Sequence, residues 1–303
     1  MNDQAEKLRK IIENLKLKQT VNQINDATDL KIKHAKLITV TSGKGGVGKT
    51  NIAVNIAVAL SQMGLRAIIL DADFGLANID VLFGIIPKYS LADIIYGKKN
   101  IIEILSEGPN GIKFISGGSG VEELTKLDQS QLDKFIYNIA LLDKIADVII
   151  IDTGAGLNQN VISFSMSADE VILVTTPEPT SITDAYALIK MMSGRDKSKV
   201  IKVIINRADN QSEAEDILQK LSIVCEKFLS VNLQPLGYIL NDDMVKRAVK
   251  EQQPFLIKYP KCTASKNITD ISKKLVDIAS DSTLGESQGV KKFINRLVGF
   301  FKQ

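Results

Sequence analysis

Residues 37–50 have the sequence LITVTSGKGGVGKT, and this stretch decides the fold. Its first six residues are apolar or β-branched, as in a buried strand, and the next eight match the phosphate-loop pattern GxxxxGK(S/T). The glycines let backbone N–H groups turn toward phosphate oxygens, and the N-terminus of the following helix adds partial positive charge. Lys49 is expected to reach the β- and γ-phosphates, and the Thr50 hydroxyl to hold Mg²⁺. The residues predicted to surround the phosphates are Gly43, Lys44, Gly45, Gly46, Val47, Gly48, Lys49 and Thr50.

Similar apolar runs recur along the chain, and helix-like patterns lie between most of them. The predicted strands are 37–42, 66–71, 112–116, 147–152, 170–176, 200–206 and 236–240. The predicted helices include 50–63, 128–145, 181–193 and 212–229. The runs are nearly continuous rather than alternating, as expected of strands covered on both faces. The sequence therefore predicts an α/β fold with a mostly parallel, doubly wound sheet flanked by helices, in which ligands bind beyond the carboxyl ends of the strands.

The composition excludes several classes of protein. The 303 residues are 45% hydrophobic and 24% charged, the balance of a globular chain, and no apolar run is long enough to span a membrane as a helix. The N-terminus is charged from its third residue, so we expect no secretory signal and a cytoplasmic location. Two well-separated cysteines and a single histidine argue against a disulfide framework, a zinc site and an iron–sulfur site within one chain.

Three aspartates follow predicted strands. Asp71 and Asp73 stand two residues apart at a strand end, so both carboxylates can face one site. Asp152 follows four apolar residues, as expected of a strand whose terminal carboxylate holds Mg²⁺ through water. The backbone N–H of Gly154 or Gly156 is expected to contact the γ-phosphate. The alternative for each aspartate is the capping of a following helix.

Asn206 and Arg207 end another strand and are expected to contact the base. With Asp209 they resemble the NKxD motif for guanine, and they also resemble an Asn-Arg strand end that contacts adenine. The lysine of NKxD is missing here, and the other loops are of the ATPase kind, so ATP is the predicted nucleotide.

The last residues, 290–303, form a basic amphipathic pattern after a polar linker at 281–289. At helical spacing its apolar residues lie within one arc, and lysine and arginine lie opposite. This pattern predicts a helix that lies in an anionic membrane surface. The rest of the chain is close to neutral, and this argues against DNA binding. The alternative is a helix docked on the protein with a solvated basic face. The predicted membrane-facing residues are Val290, Phe293, Ile294, Leu297, Val298, Phe300 and Phe301.

The pattern of residues 1–20 predicts a small amphipathic helix. A polar linker at 21–35 is expected to join this helix to the domain at 36–280. Leu8, Ile11 and Leu15 lie on one face of such a helix. From the pattern alone, the alternative is a helix packed on its own domain.

The phosphate loop resembles that of a known class of ATPases. KGGVGKT is similar to the deviant Walker A loop of MinD/ParA P-loop ATPases, and DADFGLANID is similar to their switch I segment. The resemblance implies an ATP-sandwich homodimer in which Lys44 reaches the partner's nucleotide. It also implies that Asp73 organises the hydrolytic water, with Asp71 nearer the metal. The residues expected to act in catalysis are Lys44, Lys49, Asp73 and Asp152, and those expected near Mg²⁺ are Thr50, Asp71 and Asp152.

The N-terminal segment carries a narrower resemblance. DQAEKLR, residues 3–9, resembles the DQAxxLR activator segment of the FlhG (YlxH, FleN) family of flagellar-number ATPases, and DTGAG after the 147–152 strand looks like that flagellar branch. The resemblance implies a slow ATPase switch that dimerises with ATP, binds the membrane peripherally and stimulates an FlhF-type GTPase. It also implies contacts with cytosolic C-ring components of the flagellum. The residues that carry the match, and the predicted partner contacts, are Asp3, Gln4, Ala5, Leu8 and Arg9.

Three alternatives share this loop set. A MinD-like division-site regulator differs only in the N-terminal segment and the DTGAG turn. A ParA-like partition protein needs a basic DNA-binding surface, against which the near-neutral body argues. An iron–sulfur carrier on the same fold needs a cysteine pair that the sequence lacks.

Overall fold

Eight strands form one sheet in the residues that the computed structural model describes, which are 34–73, 78–118, 127–281 and 289–301. The strands are β1 (Lys36–Ser42), β2 (Ala67–Ala72), β3 (Ser106–Glu107), β4 (Lys113–Ile115), β5 (Val148–Ala155), β6 (Glu170–Thr175), β7 (Ile201–Ala208) and β8 (Gln234–Leu240). Their order across the sheet is β3-β4-β2-β5-β1-β6-β7-β8. All neighbouring pairs are parallel except the short edge pair β3–β4. The predicted doubly wound, mostly parallel sheet is confirmed.

The register brings the predicted acidic residues together. Asp152 on β5 pairs with Asp71 on β2 at one side and with Val40 on β1 at the other. Since β1 lies between β5 and β6, the chain leaves the centre of the sheet into the phosphate loop. This is where parallel sheets place their ligands.

Helices cover both faces of this sheet. Within the described residues they are α1 (Lys49–Gln62), α2 (Asn78–Phe83), α3 (Leu91–Ile95), α4 (Ile101–Ile104), α5 (Gln129–Ala140), α6 (Leu142–Ile145), α7 (Gln159–Ser167), α8 (Pro179–Ser193), α9 (Gln211–Leu229), α10 (Asp243–Lys250), α11 (Phe255–Lys258), α12 (Thr263–Asp281) and α13 (Gly289–Phe301).

The strands are apolar throughout because successive residues enter two different cores. On β7, Ile204 packs into the core shared with α1 and α12, whereas Val203 and Ile205 pack into the core shared with α7, α8 and α9. All three side chains are fully buried.

The structure differs from the predicted elements where the chain turns sharply. The helix predicted at 128–145 is two helices, because the chain bends at Leu141 between α5 and α6. Strand β5 continues through Thr153 to Ala155, where the sequence predicted a turn. The short elements β3, α2, α3 and α4 carry too few residues to show a period, and the sequence did not predict them. The predicted segment 1–20 lies outside the described residues.

The C-terminal helix α13 is docked on the protein. Its apolar face packs against α7 and α5, and the Phe164 ring of α7 lies 6.1 Å from the ring of Phe293. Lys291, Lys292 and Arg296 are exposed on the opposite face. The predicted membrane-facing side chains are therefore placed against protein, which is the docked alternative stated above. Those buried are Val290, Phe293, Ile294, Leu297 and Val298. No helix in the described ranges has the length and apolar character of a membrane span.

One carboxylate holds the start of this helix. Asp143 on α6 accepts hydrogen bonds from the backbone N–H of Val290 at 3.1 Å and of Ala35 at 3.1 Å. His34 Nδ1 lies 3.3 Å from the same carboxylate. A Cβ on Gly289 would lie 2.7 Å from His34 Nδ1, so only glycine fits there. Asp143 thus joins the beginning of β1 to the first turn of α13.

We expect Asp143→Ala to loosen α13 without unfolding the sheet. Two backbone donors lose a nearly buried acceptor, a loss of about 1–3 kcal/mol in the free energy of unfolding. Hydrogen exchange of amides 290–301 should accelerate, while β1 and β5 keep their protection. Asp133→Ala is the control, because Asp133 is exposed and accepts a hydrogen bond from the exposed Gln129 side chain. Equal exchange in α13 for both variants would contradict the role of Asp143.

Candidate nucleotide site

The glycines of the phosphate loop allow its backbone conformation and its close packing against neighbouring residues. Gly46 and Gly48 have φ of 79° and 93°, a conformation that other residues rarely adopt. A Cβ on Gly43 would lie 2.3 Å from the backbone of Asp184, and one on Gly48 would lie 2.5 Å from Asn206 Nδ2. Helix α1 follows with no side-chain cap, so its first N–H groups face the loop. The predicted loop is thus a preformed cradle of backbone donors.

Lys49 and Asp152 form a buried ion pair beneath this cradle. Lys49 Nζ lies 2.7 Å from Asp152 Oδ1, and the two side chains are 7% and 0% exposed. Burial raises the pKa of Asp152, while the charge of Lys49 and the neighbouring Thr50 hydroxyl act to lower it. The second oxygen of Asp152, Oδ2, is buried and has no hydrogen-bond partner among the residues that the structure describes.

This donor set fits Mg²⁺. An orphaned carboxylate oxygen beside a threonine hydroxyl offers hard oxygen ligands, and phosphates supply the rest of the shell. Thr50 and Asp152 are the residues that would hold the ion, as the sequence predicted. Lys49 already stands next to the place that the phosphates would occupy.

Asp71 holds the backbone around the site. Its Oδ1 accepts the N–H of Asp73 at 3.0 Å, and its Oδ2 accepts the N–H of Ile79, at the start of α2, at 3.3 Å. Burial raises the pKa of Asp71 to about 7, against these backbone hydrogen bonds. Asp71 therefore does what the capping alternative described, and its place near the metal stays a prediction.

Asp73 lies against the end of β5. A Cβ on Gly154 would lie 3.1 Å from Asp73 Oδ1, and Asn78 Nδ2 donates to Asp73 Oδ2 at 2.7 Å. Sequence reasoning missed Asn78, which fixes the orientation of this carboxylate. The predicted role of Asp73 toward water is compatible with this position.

The Gly156 N–H is occupied. It donates to the carbonyl of Ser42 at 2.9 Å, and Gly156 has φ of 101°. The contact of Gly156 with a γ-phosphate stays a prediction, and it would require this hydrogen bond to be replaced. The bond lies where the register shifts between the ends of β1 and β5.

Asn206 ties β7 to the phosphate loop. Its Nδ2 donates to the carbonyl of Val47 at 2.6 Å, and the residue is 8% exposed. Arg207 beside it is exposed and has φ of 59°. The predicted base contacts of both residues stay predictions, and the link to Val47 is a role that the sequence did not indicate.

Lys44 is bound within its own chain. Its Nζ lies 2.7 Å from Glu178 Oε2 and 2.8 Å from Thr180 Oγ1, at the start of α8. A hydrogen bond from Lys44 lowers the pKa of Glu178. Both partners are distant in sequence, and only the fold identifies them.

We expect Asp71→Asn to remove a pH dependence from the stability of the nucleotide-free protein. The folded protein binds the Asp71 proton more tightly than the unfolded chain, so stability falls as pH rises from about 4 to about 7. Asparagine cannot ionise, but it keeps one acceptor oxygen where Asp71 has two, and this loss destabilises the variant at every pH. Relative to the wild type, the variant should therefore gain about 1–3 kcal/mol in the free energy of unfolding between pH 4 and pH 8, as measured by urea denaturation.

The matched control is Asp216→Asn, an exposed position on α9. An equal difference from the wild type at pH 4 and pH 8 would show that the charge of Asp71 does not cause the pH dependence. Mg²⁺-dependent ATP hydrolysis by Asp71→Asn should decrease.

Comparisons with known proteins agree with this geometry. The family model "ParA: NUBPL iron-transfer P-loop NTPase" matches residues 33–276. The chain is 40% identical over 240 residues to the antiactivator FleN of Pseudomonas aeruginosa, covering 79% of this chain and 86% of FleN. It is 35% identical over 270 residues to the flagellum site-determining protein YlxH of Helicobacter pylori, covering 88% and 91%. Iron transfer belongs to the description of the family model and is not carried over to this chain.

A solved structure has the same fold. MinD of Pyrococcus horikoshii, solved with Mg-ADP, has a TM-score of 0.65 and 25% identity, covering 81% of this chain and 97% of that one. One assignment therefore follows from the phosphate cradle, the sheet order, the family match and the two flagellar relatives. This chain is a ParA-family P-loop ATPase of the MinD-like class, a relative of the flagellar regulators FleN and YlxH.

Proposed function

We propose that this ATPase is a slow switch that dimerises with ATP, moves its α13 helix to an anionic membrane surface and regulates flagellar number and placement. The observation that carries the proposal is the docking of α13 on α7, which begins three residues after Gly156. A conformational change in the loop after β5 would therefore move α7, the helix against which α13 packs. Docking hides the apolar face, so insertion of that face into the membrane requires its release.

Different residues of this chain bind the phosphates, position water and would hold the metal ion. Lys49 and the glycine cradle bind the phosphates, and Asp73, oriented by Asn78, positions the attacking water. Thr50 and Asp152 would hold Mg²⁺, whose charge opposes that of the phosphates. Asp71 keeps the backbone before α2 in place.

Lys44 is the switch between monomer and dimer in this proposal. Glu178 and Thr180 hold it within its own chain. The trans contact to a partner's nucleotide exchanges a half-exposed ion pair for triphosphate oxygens, which offer more negative charge. ATP therefore favours the dimer and ADP the monomer.

We expect Lys44→Ala to bind ATP and remain monomeric, as measured by light scattering with Asp73→Ala as the background that prevents hydrolysis. Lys246→Ala is the control, because Lys246 is also exposed and paired with an acid. Glu178→Gln should dimerise at lower ATP concentration, since it frees Lys44. An ATP-dependent dimer of Lys44→Ala would contradict the trans contact.

We expect deletion of residues 290–303 to abolish ATP-dependent sedimentation with vesicles that contain anionic phospholipid. Each lysine or arginine near such a surface adds about 1 kcal/mol, and two tails in a dimer act together. Neutral vesicles are the control. Continued sedimentation of the shortened chain would place the membrane site elsewhere.

The flagellar part of the proposal is supported by the two relatives and by the DQAEKLR segment, whose residues Asp3, Gln4, Ala5, Leu8 and Arg9 lie outside the described residues. FleN is an antiactivator and YlxH is a flagellum site-determining protein. We propose that the segment stimulates an FlhF-type GTPase and that the protein also contacts cytosolic C-ring components.

We expect a peptide of residues 1–20 to accelerate GTP hydrolysis by the host's FlhF-type GTPase, and Gln4→Ala to remove the acceleration. The measurement is phosphate release with and without peptide. Acceleration that persists in Gln4→Ala would be non-specific. No acceleration would leave a membrane-binding ATPase with a MinD-like role.

A further inference from the structure

A cavity of about 540 Å³ lies at the end of the docked helix. It is lined by Gln159 at the start of α7, Arg195 just after α8, and Phe300 and Phe301 in the last turn of α13. The nucleotide chemistry described above does not use any of these residues. Among the described residues, its lining combines one cation with two aromatic rings.

Arg195 and Gln159 hold the last turn of α13. Arg195 Nη2 donates to Gln159 Oε1 at 2.8 Å, and Gln159 Nε2 donates to the carbonyl of Phe300 at 3.3 Å. The Arg195 guanidinium also lies 5.6 Å from the centre of the Phe300 ring, and the ring of Phe301 lies 6.4 Å from that of Phe164. Each of these contacts is weak and lies at the solvent-exposed surface, so a competing ligand can replace it.

The surroundings favour an anion. Arg296 and Lys292 lie one turn apart on the exposed face of α13. Asp196, the neighbouring acid, accepts hydrogen bonds from the side chain and backbone of Ser198. These bonds and the charges of Lys199 and Arg296 lower its pKa, so the cations around the cavity outnumber this one acid. The planar guanidinium of Arg195 matches phosphate geometry, and the phenylalanine rings offer apolar surface beside it.

We propose that this cavity binds an anionic phospholipid, with the phosphate on Arg195 and the start of an acyl chain against Phe300 and Phe301. The proposal rests on the membrane part of the proposed function and deepens it. Phosphate on Arg195 replaces the contacts to Gln159 and to the Phe300 ring, so lipid binding loosens the last turn of α13. The docked protein then recognises the membrane before its apolar face is released.

The same cavity couples lipid to nucleotide. Gln159 is the first residue of α7, and the loop after β5 leads into it. A ligand that changes the position of Gln159 acts on the helix that the nucleotide loop also acts on. Any such coupling is reciprocal, so anionic lipid should strengthen ATP binding by the factor by which ATP strengthens lipid binding.

The test uses the full-length, nucleotide-free protein and dihexanoyl phosphatidylglycerol below its micelle concentration. We expect saturable binding by calorimetry and faster hydrogen exchange of amides 298–301. Arg195→Gln should weaken binding about tenfold, and Arg195→Lys less, because it keeps the charge and loses the planar fork. Lys220→Gln, an exposed position on α9, is the matched control and should bind as the wild type does.

Three outcomes overturn the proposal. Equal binding of dihexanoyl phosphatidylcholine would mean that the cavity takes apolar chains without regard to charge. Equal effects of inorganic phosphate would make it an anion site that needs no lipid. Undiminished binding by Arg195→Gln, with an unchanged melting temperature, would place the lipid elsewhere.

Failure here is distinguishable from failure of the proposed function. If short-chain lipid does not bind but the ATP-bound protein still sediments with vesicles through residues 290–303, only the cavity proposal fails. If sedimentation fails, the membrane switch fails, and the calorimetry still reports on the cavity by itself.

Discussion

The buried ion pair between Lys49 and Asp152 is the interaction on which the rest of the structure depends. It joins the end of the phosphate loop to the centre of the sheet, and within the described part of the chain it leaves Asp152 Oδ2 without a hydrogen bond. A buried pair of this kind gains stability only when its remaining polar atoms are satisfied. A bound nucleotide and its cation would offer such partners, and Thr50 and Asp152 are the residues that would hold the cation. Binding and folding stability are thereby linked at one point.

Helix α7 lies between the end of β5, at the nucleotide site, and the C-terminal helix α13. Its first residue follows the loop after β5, and its apolar face supports α13. The phosphate loop is anchored separately, since Asn206 binds Val47 and α8 receives Lys44. In the proposed switch, Lys44 leaves Glu178 for another subunit, and α13 leaves α7 for a lipid surface.

The sequence predicted the sheet and the phosphate loop well because their signals are local. Continuous apolar runs identify buried strands, and the glycine spacing identifies the cradle. The links from Asn206 to Val47 and from Lys44 to Glu178 could not be predicted, because their partners are more than a hundred residues apart. The amphipathic pattern of α13 predicted a helix but not its location, since a lipid surface and the Phe164 side of α7 satisfy the same apolar face.

The shared carboxylate of Asp143 has a practical consequence for experiments in living cells. Asp143 accepts hydrogen bonds from the backbone at both Ala35 and Val290, so a fluorescent protein inserted next to either residue would disturb both segments. In the proposed switch, such an insertion would change the location that it is meant to report. The turn at Gly64 is a better insertion point, because a side chain there would meet no other atoms and the turn lies away from the nucleotide, after the end of α1.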